Sequence, residues 1–295
     1  MVNYLHTHHH FITLDTSQLI DTLEDAMKAR DLPGMADVDS SLYLSCKEIK
    51  KEATVAISGE CADEIFGGYP WFYQEEALNA HTFPWSRALD FRKQLLSQEL
   101  QGKVNLDEYV TRRYQETLKE VPYLDDEEPL EAKRREMFYL NMNWFMATLL
   151  DRKDRMSMAS GLEVRVPFCD HRIAEYVWNI PWAMKTWDQR EKGILRKALK
   201  GILPDEVLMR KKSPYPKTHN PAYAKAIIQV LLERLNDPSS CLHTLINVPL
   251  VRSLVQSFGT NAQQPWFGQL MAGPQFFAFL IQVDQWFREY KIQLI

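Results

Sequence analysis

Cysteine is scarce in this chain of 295 residues, and none of Cys46, Cys61, Cys169 and Cys241 forms a C-x-x-C pair. A disulfide framework is therefore not what holds the fold together. Long apolar runs are absent as well. Residues 276–281 form one of the longest, far short of the roughly 20 that cross a bilayer. The first residues lack a basic stretch followed by an apolar one. No export signal is expected, and the thiols are expected to be reduced in a cytoplasmic setting. Positive charge is not in excess. A formal net charge of −4 and a pI near 6.1 weigh against nucleic acid as a main partner, because binding phosphates takes a basic surface. Internal repeats and low-complexity tracts are also lacking.

What is present suits a large globular fold. Hydrophobic residues make up 45% and charged residues 25%, an ordinary composition with enough apolar material for a core. The length fits one large domain or two closely packed ones. Eight Trp and 14 Phe point to a bulky, largely helical interior.

Along the chain, Phe11-Ile12-Thr13-Leu14 reads as a short strand. Helical periodicity follows over residues 17–29, with Ser17 as the cap and Ile20, Leu23 and Met27 on one face. Asp31-Leu32-Pro33-Gly34 is a turn. Residues 41–52 carry Leu42, Leu44 and Ile49 among polar neighbours, the pattern of an amphipathic helix. Residues 54–58 are nearly continuous in apolar character and end in Ser-Gly, which suits a strand buried on both faces of a parallel sheet. Beyond Gly68 the strand signal fades. Prolines, among them Pro84, Pro122, Pro167, Pro181, Pro214, Pro216 and Pro274, then break up helical periodicity. Residues 134–159 read as one long helix or two abutting ones, with Phe138, Leu140, Trp144, Phe145, Leu149 and Leu150 buried. Asp125-Asp126-Glu127-Glu128 reads as a solvated acidic loop. The expected class is α/β and mostly helical: a small α/β part over residues 1–70, then a large helical part over 71–295. Two strands are too few for an open sheet, which usually has about 4–6, so further strands are expected beside residues 55–58.

The densest chemistry lies at the end of that strand. Ligands of open α/β sheets bind at the carboxyl ends of the strands, which is where Ser58 and Gly59 fall. Gly59 permits a sharp turn or a close approach of ligand to backbone. Glu60 would project into the crevice, while Asp63 and Glu64 fall in the first turn of the next helix. The trio suits Mg²⁺ binding plus a general base. It equally suits a helix start with solvated acids, because carboxylates favour the positive end of the helix dipole. Asp151-Arg152-Lys153-Asp154-Arg155 fits either surface ion pairs or a brace beside the site, with Arg152 and Asp154 the candidates. Glu163 and Arg165 are expected to pair with each other or with neighbouring helices as structural supports, and Arg210-Lys211-Lys212 either steers phosphates or forms a solvated loop. His6, His8, His9 and His10 have no Cys or carboxylate at ligand spacing, so a metal site is not expected there.

Three blocks carry a resemblance. Residues 58–69, S-G-E-C-A-D-E-I-F-G-G-Y, resemble the S-G-E-x-x-D-E-x-F-G-G-Y signature of glutamine-hydrolysing asparagine synthetases. Residues 151–168 resemble that family's D-R-x-S-M-A-x-x-L-E-x-R-x-P-F segment, and Glu191-Lys192-Gly193-Ile194-Leu195-Arg196 its K-x-x-L-R helix. The resemblance implies an ATP pyrophosphatase-type synthetase domain with a Rossmann-like, adenine-nucleotide-hydrolase-like sheet. It implies ATP and Mg²⁺ as cofactors, and ATP, aspartate and ammonia from glutamine as substrates, joined through β-aspartyl-AMP. By the same resemblance Ser58 and Gly59 line the nucleotide, Asp63 holds Mg²⁺, Glu60 is the base for attacking ammonia, and Lys192 stabilises charge on phosphate and acyl oxygens.

Two parts of the family pattern do not occur in these 295 residues. One is the S-G-G-x-D-S phosphate loop. The other is the glutaminase domain with its cysteine nucleophile at position 2, where Val2 stands. The chain is therefore expected to be a synthetase domain truncated at its N-terminus, with residues 1–70 the remnant of the nucleotide core. It would be inactive alone or dependent on a partner that supplies the N-terminal half. A homodimer is compatible with the exposed sheet edge this would leave. The alternatives are a non-catalytic scaffold and a lactam-forming synthetase, against which Glu60 speaks.

Overall fold

The computed structural model describes residues 1–213, 215, 218–257 and 271–294. The proline breaks expected at Pro214 and Pro216 lie outside the described residues.

After a single helical turn at Val2–Leu5 come two short helices, α1 (Thr16–Asp21) and α2 (Leu23–Arg30), followed by the longer α3 (Asp37–Glu52). Asp15, not Ser17, caps α1. Its carboxylate accepts from the Gln18 backbone N–H at 2.8 Å, and the Gln18 side chain accepts from the Asp15 N–H in return. This is a capping box, and Ser17 only supports it by donating to Asp15 at 2.8 Å. Residues 11–14 form no strand, and Phe11 is 88% exposed. A strand needs a neighbour for its backbone groups, and here the segment has none among the described residues.

The sheet is a parallel pair, β1 (Val55–Ile57) and β2 (Glu163–Arg165). Val55 faces Glu163, Ala56 faces Val164 and Ile57 faces Arg165. The Ser58 N–H extends the ladder to the Arg165 carbonyl at 2.9 Å. The expectation of a strand buried on both faces is corrected: Ile57 is 78% exposed. Among the described residues β1 is paired on one edge only, and little packs over its outward face. Arg165 donates to Glu163 at 2.7 Å across the exposed face of β2.

Between the strands lie α4 (Ala62–Phe66), α5 (Leu106–Leu118), α6 (Pro129–Leu140) and α7 (Ala147–Met158). A π-helical turn, Asn141–Met146, joins α6 to α7 without a break, so residues 129–158 make one long rod. Phe138 and Leu140 are buried on it, while Trp144, Phe145, Leu149 and Leu150 are half-buried. Glu127 departs from the expected solvated loop. It is half-buried and grips the buried Arg135 with two hydrogen bonds at 2.7 and 2.8 Å.

After β2 come α8 (His171–Trp178), α9 (Gly193–Ala198), α10 (Pro221–Asn236) and α11 (Pro274–Tyr290). The largest core joins both ends of the sequence. Leu19, Leu23 and Val38 pack with Tyr223, Ile227, Leu231, Phe277 and Ile281. No helix among the described residues is long and apolar enough to cross a membrane.

Candidate active site

The site forms where the two strands end. β1 runs into Ser58 and Gly59, and the chain turns at Cys61, whose φ of 75° is left-handed. The sharp bend thus belongs to Cys61. Gly59 instead borders open space, since a Cβ built on it would meet nothing within 4 Å among the described residues. α4 follows for little more than one turn and stops at Gly67, with φ 72°. At Gly68 an added Cβ would lie 1.9 Å from Asp63 Oδ1, so only glycine leaves room for the Asp63 carboxylate there.

Asp63 is the centre of the charge network. Lys192 Nζ reaches its Oδ1 at 2.5 Å and Lys212 Nζ its Oδ2 at 2.7 Å. Burial alone would raise the Asp63 pKa, but the two ammonium groups outweigh it and hold the carboxyl below its ordinary range. Lys212 also sits over the Tyr69 ring, 3.7 Å from its centroid. Burial pushes the Lys212 ammonium down despite Asp63. Lys192 is placed by a left-handed residue conformation, φ 55°, immediately before α9.

Glu60 has a separate set of partners. Ser58 Oγ donates to it at 3.3 Å, Lys153 Nζ lies at 3.2 Å and Arg152 Nη2 at 3.9 Å. Arg152 is buried, spans from Glu60 to Asp39 with 3.9 Å to each, and stacks near Tyr215. Its Nε has no hydrogen-bond partner among the described residues. Asp154 does not join this group. Two residues past Arg152, about half of a 3.6-residue turn, it falls on the exposed side of α7, and Lys153 takes the position beside Glu60. Glu64 is not solvated either. It is buried, accepts from Tyr69 Oη at 2.5 Å, and burial raises its carboxyl pKa.

Glu60, Asp63, Tyr69, Arg152 and Lys212 line a cavity of about 440 Å³, whose far wall is aromatic, with Trp85 and Trp144. A second, more open cleft of about 840 Å³ lies past Tyr69 and Lys212 and is edged by Arg190, Glu191 and Lys211. Two carboxylates, Glu60 and Asp63, and two cations, Arg152 and Lys212, thus face one cavity, an arrangement suited to transfer of phosphoryl and acyl groups. As to Mg²⁺, no group of three metal-ligating side chains occurs among the described residues. Both Asp63 oxygens are held by lysines, so this carboxylate would offer Mg²⁺ an oxygen only as a lysine turns to the phosphates, which fits an ion that takes most of its ligands from substrate phosphates and water. His6, His8, His9 and His10 are exposed, and the His9 ring meets Phe11 edge-on at 4.2 Å.

Sequence reasoning named Ser58, Gly59, Glu60, Asp63, Lys192 and Arg152, and the structure brings these to the one corner. It missed Lys153 and left Lys212 undecided. The only signal for Lys212 was its place in a short basic run.

A family model described as asparagine synthase matches residues 1–288. The chain is 56% identical over 288 residues to glutamine-hydrolyzing asparagine synthetase 3 of Bacillus subtilis (strain 168), covering 98% of this chain and 47% of that relative. It is 32% identical over 208 residues to glutamine-hydrolyzing asparagine synthetase 1 of the same strain, covering 59% of this chain and 32% of the relative. With the glutamine-hydrolyzing asparagine synthetase of Rattus norvegicus it shares 26% over 222 residues, covering 73% of this chain and 30% of the relative. The chain thus spans about half the length of the first of these relatives, and about a third of each of the other two is matched. With the family model running through nearly every element from α1 to α11, the chain belongs to the asparagine synthase family.

Proposed function

We propose that this chain supplies one wall of a site that makes asparagine from aspartate, ATP and ammonia through β-aspartyl-AMP, releasing AMP and pyrophosphate. The observation that carries it is the convergence of Lys192 and Lys212 on Asp63, three residues from Glu60. A carboxylate is a poor electrophile, so aspartate must first attack the α-phosphate of ATP. Lys192 and Lys212 counter the negative charge that builds on the phosphate oxygens in that step. Asp63 would be the protein ligand to Mg²⁺, which when bound would supply further charge neutralisation on the phosphates. Glu60, held by Ser58, Lys153 and Arg152, takes the proton from the attacking ammonia. Ser58 and Gly59 border the nucleotide, with the open space beside Gly59 admitting it.

The parallel pair β1–β2, with both carboxyl ends at the site, supports a Rossmann-like sheet of which these are two strands. Residues 1–70 carry the nucleotide-binding part and 71–295 the helical part. That division is one of chemistry rather than packing, because the largest core draws on both. The phosphate loop S-G-G-x-D-S occurs nowhere in the 295 residues, so a polypeptide bearing it is the proposed partner.

The test measures AMP and asparagine from ATP, aspartate and ammonia. The 295-residue chain alone is expected to give negligible product, and addition of a polypeptide with the phosphate loop is expected to raise it. Robust turnover by the chain alone would show that Asp63 and its lysines are not merely one wall. Aspartate-independent cleavage of ATP in the mixture would overturn the substrate assignment.

A further inference from the structure

The parallel register does more than build the corner of the site. Ile57 pairs with Arg165, and each strand then runs four residues further to a cysteine, Cys61 after β1 and Cys169 after β2. The two segments stay side by side, and Phe66 meets Phe168 edge-on at 6.2 Å just beyond. As a result Cys61 Sγ and Cys169 Sγ are 2.8 Å apart, although 108 residues separate them in sequence. Both are free thiols. The sulfurs need close by less than about 1 Å to reach the disulfide bond length of about 2.05 Å.

Access to the two thiols is unequal. Cys61 is 3% exposed, whereas Cys169 is only half-buried at the end of a short 3-10 turn, Pro167–Cys169. Cys46 is buried away on α3 and Cys241 sits in the Asp284 cluster, where its N–H donates to that carboxylate at 3.2 Å. Of the four thiols, only Cys61 and Cys169 stand within bonding reach of each other, and one of them faces solvent.

We infer that Cys61 and Cys169 are an oxidisable pair that a peroxide closes into a disulfide, tying the Glu60–Asp63 corner to the segment after β2. The Cys169 thiolate attacks a peroxide oxygen, breaks the O–O bond and becomes a sulfenic acid, while the other oxygen leaves as water. The Cys61 sulfur then attacks the Cys169 sulfur, an S–S bond forms and the sulfenic oxygen leaves as a second water. Two electrons pass from the sulfur pair to one hydrogen peroxide. Two equivalents of a small thiol reverse the change, giving back both protein thiols and one small disulfide.

The test titrates the reduced 295-residue chain with hydrogen peroxide, blocks remaining thiols, and maps tryptic peptides. Cleavage after Lys and Arg puts Cys46, Cys61, Cys169 and Cys241 on separate peptides, 31–47, 52–87, 166–172 and 235–252. The expected result is loss of two hydrogens in mass, one linked peptide pair, 52–87 with 166–172, and its loss on adding a thiol. The thermal midpoint of the oxidised chain should rise by about 5–10 °C, as closing a long loop predicts. In Cys61→Ser, the Cys169 sulfenic acid should persist long enough to be trapped by a cyclic diketone. Linked peptides containing Cys46 or Cys241, direct oxidation of Cys169 to a sulfinic acid in the unaltered chain, or no reaction would each overturn the pair. The peptide map of the unaltered chain decides the matter even if the variant folds poorly.

Discussion

Lys212 donates to Asp63 at 2.7 Å across 149 residues of sequence. With Lys192 on the other carboxylate oxygen, one acid is shared by two ammonium groups, all three about three-quarters or more buried. Removing the shared charge leaves the lysines facing each other unpaired. Asp63→Asn is therefore expected to lower stability by about 1–3 kcal/mol. A urea titration reads this as a lower midpoint, and an unchanged midpoint would mean that the network contributes nothing to the fold.

The same substitution should change how stability responds to acid. The folded pKa of Asp63 lies below its ordinary value of 3.8 because Lys212 and Lys192 outweigh burial. The unfolded chain then binds this proton more tightly than the folded one. Its stabilisation is complete above pH 3.8 and is lost as pH falls through the folded value. The unaltered chain and Asp63→Asn should thus differ most at neutral pH and converge in acid. Parallel stability curves down to low pH would rule out this linkage.

Gly68 guards the position of the carboxylate. A methyl group there would collide with Oδ1, Cγ and Cβ of Asp63, and Asp63 is pinned on its other side by two lysines. Gly68→Ala is expected to cost about 1–3 kcal/mol and to weaken the Asp63–lysine pairing. Thermal denaturation checks the first outcome. Loss of the acid limb described for Asp63 checks the second.

The corner was legible in sequence because its residues are local: Ser58, Gly59, Glu60 and Asp63 lie within six positions. The partners come from far away, and a short basic run such as Arg210-Lys211-Lys212 looks alike whether it is solvated or folded onto a carboxylate. Residues 11–14 show the reverse failure. Their apolar character satisfied a strand pattern, but pairing depends on a neighbour that local pattern does not reveal. β2 was missed for a related reason, since Glu163 and Arg165 put charge on both ends of a three-residue strand whose middle residue alone is apolar.

Glu127 belongs to the same lesson and yields its own expectation. An acidic run usually marks solvated surface, yet here Arg135 reaches out of α6 to one member, with Asn179 and Trp178 completing the guanidinium's surroundings. Glu127→Gln leaves that buried guanidinium without its counter-charge and should cost about 1–2 kcal/mol. Asp125→Asn, two residues away and exposed, should cost nearly nothing. Equal effects in a urea titration would return the whole run to solvent.

Glu60 and Asp63 offer the sharpest test of the proposed chemistry, because their partners differ. Asp63 faces Lys192 and Lys212, which the proposal sets against phosphate charge. Glu60 faces Ser58, Lys153 and Arg152, and its proposed task, proton removal from ammonia, begins only after the adenylate has formed. In an assembly that includes the phosphate loop, Glu60→Gln keeps the size of the side chain but removes the base. Aspartate-dependent exchange of pyrophosphate into ATP should then persist to within a few-fold, while asparagine formation falls by about 10²–10⁴-fold, the usual weight of a positioned base. Lys212→Met should do the opposite and suppress the exchange itself. If Glu60→Gln lost exchange and amide formation to the same degree, Glu60 would be holding the nucleotide or the fold, and the base would have to be sought elsewhere along the cavity.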